Sequence, residues 1–155
     1  MPHPLIGLHA TLGEIGIFAF LLVFVELLNP SELRIKRAKI ASLIGLTFFI
    51  LSWIIGGYYY VSFYGTDVKP VIKEGPQPWA HSIVMEAKEH IFLFLPFLAV
   101  IASLLIMNVR VNETKKLKSI LKLSALIIIT GFMMALMGYV ISTGFRGALE
   151  VMHIK

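Results

Sequence analysis

Residues 81–107 read HSIVMEAKEHIFLFLPFLAVIASLLIM. The first ten positions are dense in titratable groups (His81, Glu86, Lys88, Glu89 and His90), whereas the seventeen that follow, 91–107, carry no charge. As a helix that apolar run is about 25 Å long at ~1.5 Å per residue, most of a ~30 Å hydrocarbon core. It is too apolar for the surface of a soluble helix. His90 therefore stands where water would give way to hydrocarbon, and the fold turns on whether other segments bring partners to the same depth.

The remaining sequence repeats this pattern. With 57% hydrophobic and 15% charged residues among 155, and a mean hydropathy of +0.84, the composition excludes an ordinary soluble domain and predicts a polytopic membrane protein. The expected fold is all-α, one integral membrane four-helix bundle over 1–155, with helices at about 8–28, 40–64, 80–107 and 120–143 and a helical extension at 145–153. There is no cysteine, so disulfides, thiolate catalysis, cysteine-ligated iron–sulfur clusters and c-type haem attachment are excluded. The formal charge of +5 does not point to nucleic acid. Nine of the fourteen Lys and Arg residues fall in 31–39 and 108–122, two short stretches between apolar segments, as topology signals do. The positive-inside rule places both stretches in the cytoplasm and both termini, with the 65–79 connection, on the outer face of the cell membrane.

Several polar or helix-bending residues interrupt the apolar segments. The first segment holds Glu14 and Glu26 and should end at Asn29-Pro30; Glu26 is placed to reach the headgroups or to pair with the basic stretch beyond it, while Glu14 lies at a depth where a carboxylate must face protein or a ligand. The second ends in Gly56-Gly57, a close-packing or kink point, and the aromatic cluster Tyr58, Tyr59, Tyr60, Phe63 and Tyr64, an interfacial belt. The 65–79 stretch, with Pro70, Gly75, Pro76 and Pro78, reads as an extramembrane loop. Pro96 should leave an unpaired carbonyl near Phe92 and bend the third helix.

The five histidines all lie on the predicted outer side. His9 is 20 residues from Asn29 and His90 is 18 from Asn108, a difference of only ~3 Å in depth. Two imidazoles on different helices at one level are what axial ligation of a b-type haem requires, with an apolar slot between helices for the macrocycle. Gly13, with Gly16, Gly131 and Gly138, supplies small residues that can open such a slot. Glu14 lies near it, and Arg146 stands a few residues further out, where haem propionates would need a cation. The cofactor expected on this reading is haem b, bound by His9 and His90 with Arg146, Gly13 and Glu14 around it. The same residue types permit a carboxylate and histidine metal centre holding two iron or manganese ions, built from Glu86, Glu89, Glu150 and His153, provided the chain bends at Gly144 or Gly147. A third alternative is no cofactor at all.

The opening His3-Pro4-Leu5-Ile6-Gly7-Leu8-His9, running straight into an apolar helix, resembles a group of uncharacterised small four-helix prokaryotic membrane proteins in which a His-Pro and a second histidine introduce the first helix. Gly138-Tyr139-Val140-Ile141-Ser142-Thr143-Gly144 is similar to the glycine-rich end of the same group. This resemblance implies a membrane redox or haem-binding role.

No phosphate-cradling glycine loop, H-E-x-x-H or G-x-S-x-G occurs, which argues for an electron-transfer or accessory subunit over a stand-alone enzyme. The expected function is a membrane b-type cytochrome passing electrons between an outer-face donor and a quinone or partner membrane complex. The expected partners are membrane lipid and a redox partner or larger membrane protein complex, with no nucleic acid. The alternative functions are a non-catalytic structural subunit of such a complex and a metal-binding membrane protein.

Overall fold

The computed structural model describes residues 3–154, with side chains through residue 152. Among these the chain is all-helical, in four long helices: α1 (Pro4–Leu28), α2 (Glu32–Glu74), α3 (Ala80–Met107) and α4 (Thr114–Ile154). Each is long and apolar enough to cross a membrane. The connections at 29–31, 75–79 and 108–113 are too short for anything but antiparallel neighbours. With α1 packed on α2 and α4, and α3 packed on the same two, the helices close an up-down-up-down ring.

The ends of these helices follow from local chemistry. His3 caps α1, its Nδ1 accepting from the Leu5 amide at 3.3 Å, and Pro4 occupies the first turn, where its missing N–H costs nothing. Asn29-Pro30 stops α1 as expected. Ser31 then caps α2 by accepting from the Arg34 amide at 3.3 Å, and Glu32 favours the positive end of the helix dipole. The basic stretch expected as a loop is therefore the first two turns of α2, with Ile35 and Ala38 already buried.

Glu26 explains how two arginines are held there. Its carboxylate accepts from Arg34 Nε at 2.9 Å, from Arg37 Nε at 2.8 Å and from Arg37 Nη2 at 3.0 Å, and the residue is only 6% exposed. A second Arg34 nitrogen, Nη2, donates to the Val25 carbonyl at 2.8 Å, so the α1–α2 turn is tied from both sides. Removing the carboxylate leaves two guanidinium groups facing each other without their counter-charge. Glu26→Ala should lower the thermal unfolding midpoint in detergent by several degrees and Glu26→Gln by less, whereas Glu32→Gln, on an exposed residue, should leave it unchanged.

Helix also replaces most of the loop expected at 65–79. Residues Tyr60–Val68 are wound as a π-helix and Lys69–Glu74 as a fresh α-helical segment. The extra residue per turn of the π segment shifts the hydrogen-bond ladder, so Pro70 falls in the first turn of the new segment, where proline is tolerated. Tyr64, Val68 and Ile72 recur every fourth residue and are all buried, which gives this stretch a packing face that proline and glycine counts do not register. In α3, residues Ala80–Met85 are again π-wound. The helix breaks at Leu93, between Phe92 and Phe94, one turn before Pro96, as the missing proline N–H requires.

The Lys-rich start of α4 is helical from Thr114 because Leu117, Ile120, Ser124 and Ile127 form a buried stripe. Glu113 marks its start, accepting from the Arg110 amide at 2.9 Å and from the Lys116 ammonium. The Lys116 contact, with the Arg110 amide behind it, holds the Glu113 carboxyl below the usual carboxylate range. Gly138, Gly144 and Gly147 leave α4 unbroken.

Two packed regions leave a space between them. The larger core lies toward the basic end, where Phe20 stacks on Phe49 with ring centroids 5.7 Å apart and Ile35, Ala102, Ile106 and Ile127 fill the interior. The smaller one, at the opposite end, gathers Tyr59, Tyr64, Val68, Ile72, Ala80 and Ile141. Large apolar side chains also cover the outside of all four helices, Phe18, Ile54, Phe97 and Ile129 each more than half exposed, far beyond the patches a soluble monomer carries.

Candidate functional site

Between the two cores lies a cavity of about 710 Å³ lined by all four helices. That volume is in the range of small-molecule and cofactor sites. Its walls are mainly apolar and aromatic, among them Ile17, Phe49, Trp53, Leu95 and Met134. Its polar side chains are few: His3, His9, Glu14, Ser52, Tyr59, Tyr60, Tyr64, Lys88, Glu89, His90, Tyr139 and Ser142. The space exists partly because glycines line it. A Cβ on Gly131 would lie 2.6 Å from Ile17 Cγ1, and one on Gly13 would lie 3.3 Å from Ser52 Oγ, so the helices approach closely at these points without closing the gap.

His9 is fixed by the second helix. Its Nδ1 lies 2.9 Å from the Ser52 carbonyl oxygen and 3.0 Å from Ser52 Oγ, while that hydroxyl donates to the His9 carbonyl at 2.9 Å. A carbonyl can only accept, so Nδ1 carries the proton and Nε2 keeps its lone pair. The ring lies flat against Gly56, where a Cβ would come within 2.6 Å of Nδ1 and 2.7 Å of Cε1.

His90 reaches the same condition by a different route. Its Nδ1 lies 2.7 Å from the carbonyl oxygen of Glu86, one turn earlier in α3. The proton again sits on Nδ1 and the lone pair on Nε2. Neither Nε2 has a hydrogen-bond partner among the described residues. Donation of one ring N–H to a backbone carbonyl is the outer-shell contact that orients metal-ligating histidines. His3 and His81 differ. His3 spends its Nδ1 lone pair on the Leu5 amide, and His81, 2% exposed, is bonded through Nδ1 to the Tyr64 hydroxyl at 3.0 Å and does not line the cavity.

The remaining expected site residues divide. Gly13 and Glu14 line the cavity with His9 and His90. Arg146 does not: it is exposed and donates from Nη2 to Ser142 Oγ at 3.2 Å on its own helix. Of the carboxylates considered for a two-metal centre, Glu89 lines the cavity, but Glu86 and Glu150 are exposed and lie outside its wall. The His153 side chain lies outside the described residues. Among the described residues no three His, Asp or Glu side chains come together as a metal-binding group. Glu86 and Glu89 are neighbours three residues apart on one helix face, yet only Glu89 reaches the cavity wall, and Glu86 stays exposed.

Three contributors were not singled out for this site from sequence. Ser52 is 43 residues from His9, a pairing with no local signal. Lys88 projects into the cavity, its Nζ 3.2 Å from the point a Gly138 Cβ would occupy. Tyr60 stacks on Tyr64 with centroids 5.4 Å apart, and Glu89 Oε1 is buried without a hydrogen-bond partner.

A scan against protein-family models, a search of curated proteins and a search of solved structures each found no match to this chain.

Proposed function

We propose that this chain is a multi-pass membrane protein that binds one b-type haem between His9 and His90 and passes electrons between a donor on the outer face and a quinone or partner membrane complex. The observation that carries this reading is the pair of histidines. Two imidazoles from different helices border one largely apolar cavity, each held through Nδ1 by a backbone carbonyl and each with Nε2 unengaged. Bound there, a haem supplies one-electron chemistry. The chain supplies the two imidazoles, His9 partly buried and His90 exposed, and a largely apolar cavity wall.

Two features support membrane insertion in the stated sense. Apolar side chains cover the outside of all four helices. The turns 29–31 and 108–113 share one end of the bundle, where Glu32, Lys36, Lys39 and Arg110 border a common depression, so the basic residues gather on a single face that the positive-inside rule assigns to the cytoplasm. The chain contains no native cysteine, which makes single-cysteine labelling clean. In intact cells, Gln77→Cys should react with a membrane-impermeant maleimide and Asn112→Cys should react only after lysis; the reverse pattern would overturn the orientation.

The haem itself is tested by fluorescence. Trp53 lines the cavity and stacks against Phe92 with centroids 6.3 Å apart, and the other tryptophan is Trp79. In a Trp79→Phe background, haem titrated into the folded apoprotein should quench Trp53 emission and saturate at one equivalent per chain. Quenching that fails to saturate, or none, would remove the haem reading.

A further inference from the structure

The cavity is bordered by a cation that no described group of the chain pairs with: Glu14 and Glu89 line the same cavity, but neither comes within ion-pair distance of it. Lys88 forms no ion pair and no hydrogen bond among the described residues; the ion pairs present join Glu26 to Arg34 and Arg37, and Glu113 to Lys116, all at the opposite end of the bundle. A lysine near the end of a membrane helix ordinarily stretches outward so that its charge reaches water or headgroups. Lys88 extends inward, to the bare backbone of Gly138 on α4. An ammonium directed into a largely apolar cavity is costly without a partner, and a carboxylate on whatever fills the cavity can supply one.

We propose that the Lys88 ammonium binds a propionate carboxylate of the haem seated between His9 and His90. This rests on the haem reading above and assigns to Lys88 the role that the sequence pattern gave to Arg146, which is exposed and outside the cavity wall. Gly138 is part of the same device, because a side chain there would meet the Lys88 head at 3.2 Å and push it back. The apolar walls receive the macrocycle, and the one lysine lining the cavity sets which edge points toward α4.

The test compares haem b with its dimethyl ester, which has the same ring and iron but no carboxylates, on the full-length protein. A charge-assisted hydrogen bond of about 1.5–3 kcal/mol corresponds to roughly ten- to hundredfold in affinity. The wild type should therefore bind haem about ten- to hundredfold more tightly than the diester. Lys88→Met should bind both alike, and Lys88→Arg should keep the preference. Equal affinity of the wild type for haem and diester, both bound with the spectrum of two-histidine ligation, would overturn the Lys88 assignment and leave the haem reading standing. Failure of the wild type to bind either compound would overturn both. A Lys88→Met variant that retains the full preference for haem would also overturn the assignment. The wild-type comparison decides the matter even where a variant fails to fold.

Discussion

His9→Ala and His90→Ala should each abolish the sharp reduced α band of the haem protein, while His3→Ala, His81→Ala and His153→Ala retain it. The discrimination comes from hydrogen bonding rather than from the presence of an imidazole. His9 and His90 both line the cavity, with their Nδ1 protons committed to the carbonyls of Ser52 and Glu86 and Nε2 without a hydrogen-bond partner among the described residues. His3 is committed through Nδ1 as an acceptor and His81 is tied to Tyr64 away from the cavity wall. Any haem that a single variant keeps has lost one axial nitrogen. Its reduced form would then bind carbon monoxide, whereas a haem held by both histidines, as proposed, would not. Carbon monoxide binding and an absorbance scan on each purified variant check this, and an unchanged spectrum in His90→Ala would remove His90 as a ligand.

The second large effect is expected at a residue with no polar side chain. Gly56→Ala would place a methyl group 2.6 Å from His9 Nδ1 and 2.7 Å from Cε1, well inside van der Waals contact. The ring must shift, and the shift breaks the 2.9 Å bond to the Ser52 carbonyl that fixes both its tautomer and its direction. Loss of an outer-shell contact of this kind costs ~10–100-fold in metal affinity, so haem titration of Gly56→Ala should show weakening of that order with His9 itself intact. Gly7→Ala is the control. Nothing lies within 4 Å of a Cβ at that position, and its haem affinity should match the wild type.

The four long helices were legible in the sequence because hydropathy registers helix interiors directly. The ends were less so. Basic residues at 34–39 and the proline and glycine content of 65–79 read as loop, yet Glu26 holds Arg34 and Arg37 inside a helix, and the π-wound turn lets Pro70 open a new helical segment. The apolar spacing Tyr64, Val68, Ile72 carried the helix signal there, and the breakers masked it.

The site divides the same way. A depth count along straight helices put His9 and His90 at one level, because distance along a helix is proportional to residue number, and both line the cavity. Direction around the helix was not recoverable, since the π-wound residues Ala80–Met85 alter the angular register of α3. Arg146, placed by depth alone on α4, is exposed and outside the cavity wall, whereas Lys88 lines it. Ser52 and Gly56 act on His9 across the α1–α2 interface, a contact set by tertiary packing that no local pattern encodes. Glu26 was the exception, because a basic stretch begins only a few residues beyond it.

The most direct measurement is the dithionite-reduced minus oxidised absorbance spectrum of the full-length protein, purified from haem-replete cells, taken with its haem content per chain. The account predicts one haem b per chain and a sharp α band that disappears together with His9 or His90. A folded, colourless protein, or one whose α band survives loss of both histidines, would contradict it.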